Sequence, residues 1–371
     1  MLDNVMYPNA LCAVVIEEHL WFMNHVANAL MKMRLSDGII TEWHQIEPYD
    51  LLAPTLFLDM VHYRDWLILI PDVCGKHIVY FNLRTKDQEC ISISDDWFIT
   101  KKLVLNNRML LFSKVPTEQM RIAELDIESH KLQRNEGLEQ LIDGLIPKDI
   151  DRNNHSLDIT YGSDKLWMLI TGTKYLLEVD LRSRDGKVHI IGDGIYGRLT
   201  YSDQGMYISD NKDCLIYRWD ANGGINETIE FGECWESANP EDKYGYLLCY
   251  DNKIICVSRF SPRVDIYDLA LKTKSTLCVD TDQNEFPLSE RATLPFYQFR
   301  CVVVDNYMVV PANAGRDFFS MNLESKEVAE IRPIIPKSFY EKAIKETNIP
   351  VLYEQNLSLN RYIDYILGIG N

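Results

Sequence analysis

The sequence lacks a long apolar run, a paired-cysteine motif and a basic leader. No stretch approaches the roughly 20 apolar residues that a membrane-spanning helix requires. The first apolar stretch, residues 11–16, is followed at once by Glu17, Glu18 and His19, so we expect no secretory signal. The nine cysteines include no C-x-x-C pair, which favours free thiols over disulfides. Together these absences predict a cytoplasmic protein.

Positive charge is also scarce. The chain has 371 residues, with 38 Lys and Arg against 55 Asp and Glu, which gives a formal net charge of −17. Such a chain repels the phosphates of nucleic acids and of anionic lipid surfaces. We therefore expect neither a nucleic acid nor a membrane as its partner.

The usual catalytic strings are missing as well. There is no G-x-S-x-G, no H-E-x-x-H and no G-x-x-x-x-G-K-[ST], and no Cys/His set has the spacing of zinc ligands. Residues 192–197 spell G-x-G-x-x-G, but they precede a predicted strand and no helix, which indicates a turn. We expect no metal and no cofactor.

An internal repeat is the informative feature of this chain. Its unit is a short apolar strand, a polar loop, and a second strand that ends in Asp or Asn plus an apolar residue. The clearest copy runs from Trp66 to Leu83, and we count seven copies. The last polar residue of the second strand marks the period of the repeat, and we call these residues the ruler residues. They are Arg34, Asn82, Asp126, Asp180, Asp220, Asp268 and Asn322.

The spacing of the ruler leaves room for four strands in each repeat. It varies between 40 residues, from Asp180 to Asp220, and 54 residues, from Asp126 to Asp180. A further strand precedes each pair across a short polar turn, and a fourth strand follows the ruler residue. The predicted turns are Arg64-Asp65, Asn106-Asn107, Ser163-Asp164, Asp251-Asn252 and Asp305-Asn306.

Four antiparallel strands at this period are typical of a β-propeller blade, so we predict an all-β, seven-bladed propeller. A β-sandwich would show no such register, and a β-helix would have a much shorter period. Over residues 12–333 the chain resembles the β-propeller superfamily in general. It matches neither the Kelch pattern, whose Gly-Gly doublet here lies in a turn, nor WD40 repeats, whose Trp-Asp pair occurs once, at Trp219-Asp220. The resemblance implies a binding face, and no activity follows from it.

Some segments fall outside the predicted blades. The apolar spacing of residues 138–146 predicts a short helix that fills a gap beside blades three and four. Insertions are expected near residues 233–244 and 280–296. From residue 334 to 371 the pattern predicts a tail with helices at 338–346 and 358–367, packed on the propeller or on a partner. Because no strand-like C-terminal segment remains to complete blade one, which already has four strands, we expect blades one and seven to pack on each other with help from the tail.

The candidate site residues lie in loops that propeller topology places on one face. His25 is either a general base or a hydrogen-bonded loop histidine. Arg259, Arg263 and Arg316 either grip an anionic ligand bidentately or balance neighbouring acids. Trp235 is the best aromatic anchor for a partner or a sugar ring. The full set is His25, Asp210, Trp235, Glu236, Arg259, Arg263, Arg316 and Asp317.

Two functions remain open from the sequence. The first is a non-catalytic scaffold that binds a protein or peptide with one propeller face. The alternative is a propeller enzyme acting on a glycan or a small anionic metabolite at the central mouth, with His25, Arg259 and Arg316 around it. The missing catalytic strings favour the scaffold.

Overall fold

The computed structural model has seven four-stranded antiparallel sheets that follow one another along the chain, the arrangement of a seven-bladed β-propeller. Each sheet takes its four strands in chain order, which confirms the predicted blade repeat. The structure describes residues 4–5, 10–24, 28–46, 57–71, 76–93, 99–113, 120–150, 156–210, 213, 215–231, 244–258, 263–278, 301–311 and 318–336.

The chain forms two compact units, and the first comprises residues 1–93 and 279–371. Its strands form blades 1, 2 and 7. Blade 1 is β2 (Ala10–Ile16), β3 (His19–Asn24), β4 (Ala29–Arg34) and β5 (Ile40–Gln45). Blade 2 is β6 (Phe57–Tyr63), β7 (Trp66–Pro71), β8 (His77–Asn82) and β9 (Gln88–Ser92). Blade 7 is β26 (Val302–Val304), β27 (Tyr307–Pro311), β28 (Phe318–Asn322) and β29 (Val328–Ile331), and a small sheet pairs β1 (Asn4–Val5) with β30 (Ile334–Ile335).

The second unit, residues 94–278, contains blades 3 to 6 and the helix α1 (Glu136–Leu145). Blade 3 is β10 (Ile99–Leu105), β11 (Arg108–Ser113), β12 (Ile122–Asp126) and β13 (Lys131–Arg134). Blade 4 is β14 (Leu157–Gly162), β15 (Lys165–Ile170), β16 (Tyr175–Asp180) and β17 (Asp185–Ile190). Blade 5 is β18 (Tyr196–Ser202), β19 (Gly205–Asp210), β20 (Leu215–Asp220) and β21 (Gly224–Glu230). Blade 6 is β22 (Tyr244–Tyr250), β23 (Lys253–Ser258), β24 (Arg263–Asp268) and β25 (Thr273–Cys278).

Burial follows the order of strands within a blade. In blades 1 to 6, every residue of the second strand after its first residue is buried. Fourth strands such as β9 and β17 are mainly exposed. Within the second unit, β15 of blade 4 shares one buried cluster with blade 3 and another with blade 5, so both of its faces are covered. Burial on both faces explains why such a strand is continuously apolar.

The ruler residues have a physical role in the turn after the third strand. In six blades, the Asp or Asn side chain accepts hydrogen bonds from the backbone N–H groups two and three residues later. The residue four positions after the ruler has a positive φ in every blade. The seven residues are Gly38, Lys86, His130, Arg184, Gly224, Lys272 and Lys326. This repeated turn chemistry is what makes the period visible in the sequence.

The predicted helix is α1, and it fills the outer part of the groove between blades 3 and 4. Asn135 caps it by accepting a hydrogen bond from the Leu138 N–H at 3.1 Å. Leu138 and Ile142 are buried in one cluster with residues of both blades. The prediction of a helix filling a gap beside these blades is confirmed.

Blades 7 and 1 pack directly on each other within the first unit. The rings of Phe22 and Phe318 lie 5.1 Å apart in an edge-on arrangement. Beside them, the Ile334 N–H donates to the carbonyl of Gly38 at 2.8 Å. A Cβ on Gly38 would lie 2.0 Å from the Arg332 carbonyl oxygen, so only glycine allows this approach. Residues 334–335 form a strand, and the helices predicted at 338–346 and 358–367 lie outside the described residues.

Candidate functional site

The structure describes two of the eight predicted site residues, Asp210 and Arg263. The other six lie outside the described residues: His25, Trp235, Glu236, Arg259, Arg316 and Asp317. Asp210 ends β19 of blade 5, and Arg263 begins β24 of blade 6.

Arg263 binds a carboxylate bidentately, and that carboxylate belongs to Asp265 of the same strand. Its Nη2 lies 2.7 Å from Asp265 Oδ1 and 2.8 Å from Oδ2. Asp265 is fully buried, and the Arg263 side chain is 17% exposed. Alternate residues of a strand share a face, which is why the Arg-Val-Asp order brings the two charges together. The anion held by Arg263 in this structure is therefore internal.

The same ion pair binds both ends of the insertion that carries Trp235 and Glu236. Arg263 Nη2 also donates to the carbonyl of Phe231 at 2.9 Å, and Phe231 immediately precedes the insertion at 232–243. Tyr244 immediately follows it, and its hydroxyl donates to Asp265 Oδ2 at 3.1 Å. One buried charge pair thus fixes the position at which the insertion leaves blade 5 and the position at which it enters blade 6.

The remaining neighbours of Asp265 add a further hydrogen bond and two neutral groups to the cluster. Thr276 Oγ1 donates to Asp265 Oδ1 at 2.7 Å. Burial raises the pKa of the Tyr244 hydroxyl and raises the pKa of the Cys256 thiol, with Asp265 adding to both shifts. Both groups therefore stay neutral at physiological pH, and the cluster carries one positive and one negative charge.

An open cleft of about 490 Å³ lies at the outer edge of this cluster. It is bordered by Glu230 and Phe231 from blade 5 and by Lys274, Ser275 and Thr276 from blade 6. Lys274 Nζ donates to the Glu230 carbonyl at 2.6 Å across it. Phe231, which borders this cleft, immediately precedes the insertion in the sequence.

Asp210 lies in a separate cluster with two tyrosines. It is buried and accepts a hydrogen bond from the Asp213 N–H at 3.1 Å. Burial raises the pKa of Tyr217 to about 12, and the charge of Asp210 is the second largest cause of this shift. A Cβ on Gly194 would lie 2.9 Å from Asp210 Oδ2 and 2.9 Å from the ring of Tyr196. Residues 192–195 of the G-x-G-x-x-G segment thus form the predicted turn, closely packed, and its last two residues belong to β18.

A charged network on the first strands of blades 3 to 6 includes none of the predicted site residues. Lys101 Nζ binds the buried Asp158 at 2.6 Å, and the other carboxylate oxygen of Asp158 accepts the Leu199 N–H at 2.9 Å. Burial opposes the ionisation of Asp158, but Lys101 and Arg198 outweigh it and lower its pKa. Arg198 donates from Nε to the Gly245 carbonyl at 2.9 Å, so the network joins neighbouring first strands.

Asp265, Tyr244 and Phe231 are also absent from the predicted site residues. The order Arg263-Val264-Asp265 on one strand was a usable signal, since it places opposite charges on one face. The roles of Phe231 and Tyr244 had no local signal, because they depend on how two blades meet.

Other kinds of site find no support in the part of the chain that the structure describes. It contains no group of three or more His, Cys, Asp or Glu side chains able to hold a metal ion. None of its helices combines the length and the hydropathy needed to cross a membrane.

Comparisons with known proteins support the fold. No protein-family model matches the chain, and no curated protein matches it. Hsv2 of Kluyveromyces lactis is 7% identical, with a TM-score of 0.52 over 89% of this chain and 98% of that one. The Cps50 (Swd1) β-propeller domain of Myceliophteria thermophila is 10% identical, with a TM-score of 0.52 over 90% of this chain and 99% of that one. The complex of KlAtg21 with the coiled coil of AgAtg16 contains a match of 9% identity and TM-score 0.55, covering 88% of this chain and 98% of that one.

Proposed function

We propose that this chain is a non-catalytic scaffold that binds a protein or peptide partner through the 232–243 insertion and the cleft beside it. The observation that carries the proposal is the Arg263–Asp265 pair, which binds Phe231 at one end of the insertion and Tyr244 at the other.

Fixed loop ends favour binding for an energetic reason. A loop that must be ordered on contact loses conformational entropy, and that loss subtracts from its affinity. An insertion whose two ends are already fixed has less freedom to lose. Binding residues concentrate in loops that a rigid scaffold positions in this way.

The residues carried by the insertion suit a protein partner. Trp235 is of the type that dominates protein interfaces, because a large aromatic ring buries much area with few rotatable bonds. Glu236 beside it adds an acid to a chain of net charge −17, which favours a partner with basic groups near its contact surface.

The comparisons support the same class of function without identifying a partner. KlAtg21, a structurally similar protein, is described in complex with the coiled coil of AgAtg16. We extend to this chain only the general point that a propeller of this shape offers a surface to another protein.

Affinity capture from extracts of the native host, with cross-linking and mass spectrometry, tests the proposal. We expect Trp235→Ala to lower the recovery of the cross-linked partner at least tenfold. The matched control is Tyr307→Ala, which removes an aromatic side chain that is 51% exposed on β27 of blade 7. Equal recovery of the cross-linked partner with both variants would show that Trp235 is not the anchor.

A milder variant tests the fixed loop ends. Tyr244→Phe deletes the hydrogen bond to the buried carboxylate of Asp265 without leaving a cavity, at a cost of about 1.5–3 kcal/mol in stability. We expect faster proteolytic cleavage within residues 232–243 and weaker capture of the same partner. Unchanged cleavage and unchanged capture would show that the ion pair does not order the insertion.

A further inference from the structure

A second cleft lies on blades 3 and 4, away from the insertion at blades 5 and 6. It has a volume of about 100 Å³, and its lining is mixed: polar and charged side chains border it together with the leucines Leu105, Leu110, Leu138, Leu141 and Leu181. An apolar cavity of about 150 Å³ holds a benzene ring in another protein, so 100 Å³ suits a single aliphatic side chain.

Two carboxylates and one guanidinium at the border of this cleft already have partners. Glu124 accepts hydrogen bonds from Arg108 Nη1 at 3.1 Å and from Asn135 Nδ2 at 3.2 Å. Asp180 accepts from the backbone N–H groups of residues 182 and 183, and these bonds lower its pKa. These groups are committed to the fold.

Arg184 is the exception at this border. Its guanidinium makes no hydrogen bond or ion pair with any residue that the structure describes, and its side chain is exposed. A Cβ atom built on Gly137 would lie 3.2 Å from Arg184 Nη1. The guanidinium of Arg184 therefore packs against Gly137 in the first turn of α1. The cleft therefore combines leucine side chains with one guanidinium that has no partner among the described residues.

We propose that this cleft binds a peptide segment in which an aliphatic side chain stands next to a carboxylate. The aliphatic group fills the leucine-walled space, and the carboxylate accepts the charge-assisted hydrogen bonds of Arg184. This second docking surface does not depend on Trp235 or on the insertion.

N-acetyl-L-leucine is the smallest probe of this chemistry, and N-acetyl-L-leucinamide is its neutral counterpart. Ligand-observed NMR titration of the full chain compares the two. We expect the carboxylate to bind about threefold to fivefold more tightly than the amide, because the guanidinium is exposed. Arg184→Gln should reduce the affinity for the carboxylate to that for the amide. Arg182→Gln is the matched control, because Arg182 is 79% exposed and paired with Asp164; it should leave the preference unchanged.

Two glycines of α1 provide a second matched pair. Gly137→Met places a side chain in the cleft and should abolish binding of N-acetyl-L-leucine. Gly144→Met is its control, because Gly144 has open space around its Cβ position. Both changes replace glycine in the same helix, so loss with only the first assigns binding to the cleft.

Three results would each overturn the proposal: no saturable binding of N-acetyl-L-leucine, equal affinity for the acid and the amide, or equal loss with the Arg184 and Arg182 variants. None of them bears on the insertion, since the capture experiment with Trp235→Ala depends on another surface.

Discussion

The groove between blades 4 and 5 and the groove between blades 3 and 4 are filled in different ways. In the first, Trp167 of the second strand faces Trp219 of the next blade, with ring centroids 5.9 Å apart. In the second, the equivalent positions hold Leu110 and Val179. Leu110 pairs with the residue two positions before the ruler residue Asp126, and Val179 directly precedes the ruler residue Asp180. The two aliphatic side chains leave space, and α1 occupies it.

The other grooves within each unit repeat this distinction. Between blades 1 and 2 the two positions hold Trp21 and Phe81, with centroids 6.1 Å apart. Between blades 5 and 6 they hold Tyr207 and Tyr267, in one buried cluster.

The groove between blades 7 and 1 has aliphatic residues at the same positions, Val309 and Met33. Its buried cluster also includes Ile335 of β30, an added segment as α1 is. Side-chain volume at two repeat positions therefore decides whether a groove needs an added segment.

Carboxylates accompany the tryptophan-containing grooves. Glu178 accepts hydrogen bonds from Lys165 and from His189 Nε2, the latter at 2.7 Å, beside Trp167. Glu42 likewise binds His44 at 2.9 Å and Lys86 at 2.6 Å. The histidines occupy equivalent positions of the fourth strands in blades 1 and 4.

The largest expected effect comes from emptying an aromatic groove that has no added segment. Trp219→Ala should lower the free energy of unfolding by about 3–5 kcal/mol, because Trp219 is 3% exposed and its buried cluster includes no added segment among the described residues. The equivalent change in the helix-filled groove, Val179→Ala, removes two methyl groups and should cost about 2 kcal/mol or less. Urea unfolding of both variants measures the difference. Equal losses would mean that the two grooves are not distinguished by aromatic volume.

Acid should remove the stabilisation that the Glu42 carboxylate, which lies near Trp21, contributes to the fold. Burial of Glu42 opposes ionisation, but hydrogen bonds from Lys86, His44 and Lys32 prevail and lower its pKa to about 2. An unfolded glutamate has a pKa of about 4.3. The stabilisation is therefore complete above about pH 4.3 and is lost as the pH falls towards 2.

The size of this acid effect follows from the shift and can be checked by substitution. The difference corresponds to about 2–3 kcal/mol. We expect Glu42→Gln to flatten the pH dependence of the unfolding free energy between pH 5 and 2. Glu324→Gln, at an exposed position on blade 7, should leave the curve as in the unmodified chain. An unchanged curve for Glu42→Gln would show that its ion pairs contribute nothing.

The sequence allowed the blades to be predicted because their signals are local. Ruler residues such as Asp180 act within three residues of themselves, and second strands such as β15 are apolar along their length. The helix α1 was also predictable from its own spacing. Trp219 was noticed only as part of a Trp-Asp pair, and its packing on Trp167 depends on contacts between blades. The site shows the same limit: Arg263 was identified, but the ends of the insertion that it binds were not.

The smallest expected effect concerns the helix side of the comparison. Gly144 of α1 has no heavy atom within 4 Å of its Cβ position, so Gly144→Ala adds a methyl group without a clash. Alanine is favoured over glycine in a helix interior by about 1 kcal/mol, and because Gly144 lies one residue from the end of α1, we expect a gain below that value. Gly137→Ala changes the same helix, but its Cβ would lie 3.2 Å from Arg184 Nη1, so its gain should be smaller. The melting temperature should therefore be highest for Gly144→Ala, lower for Gly137→Ala and lowest for the unmodified chain. A loss of stability with Gly144→Ala would contradict the account of α1 as a well-formed helix filling the groove that Leu110 and Val179 leave open.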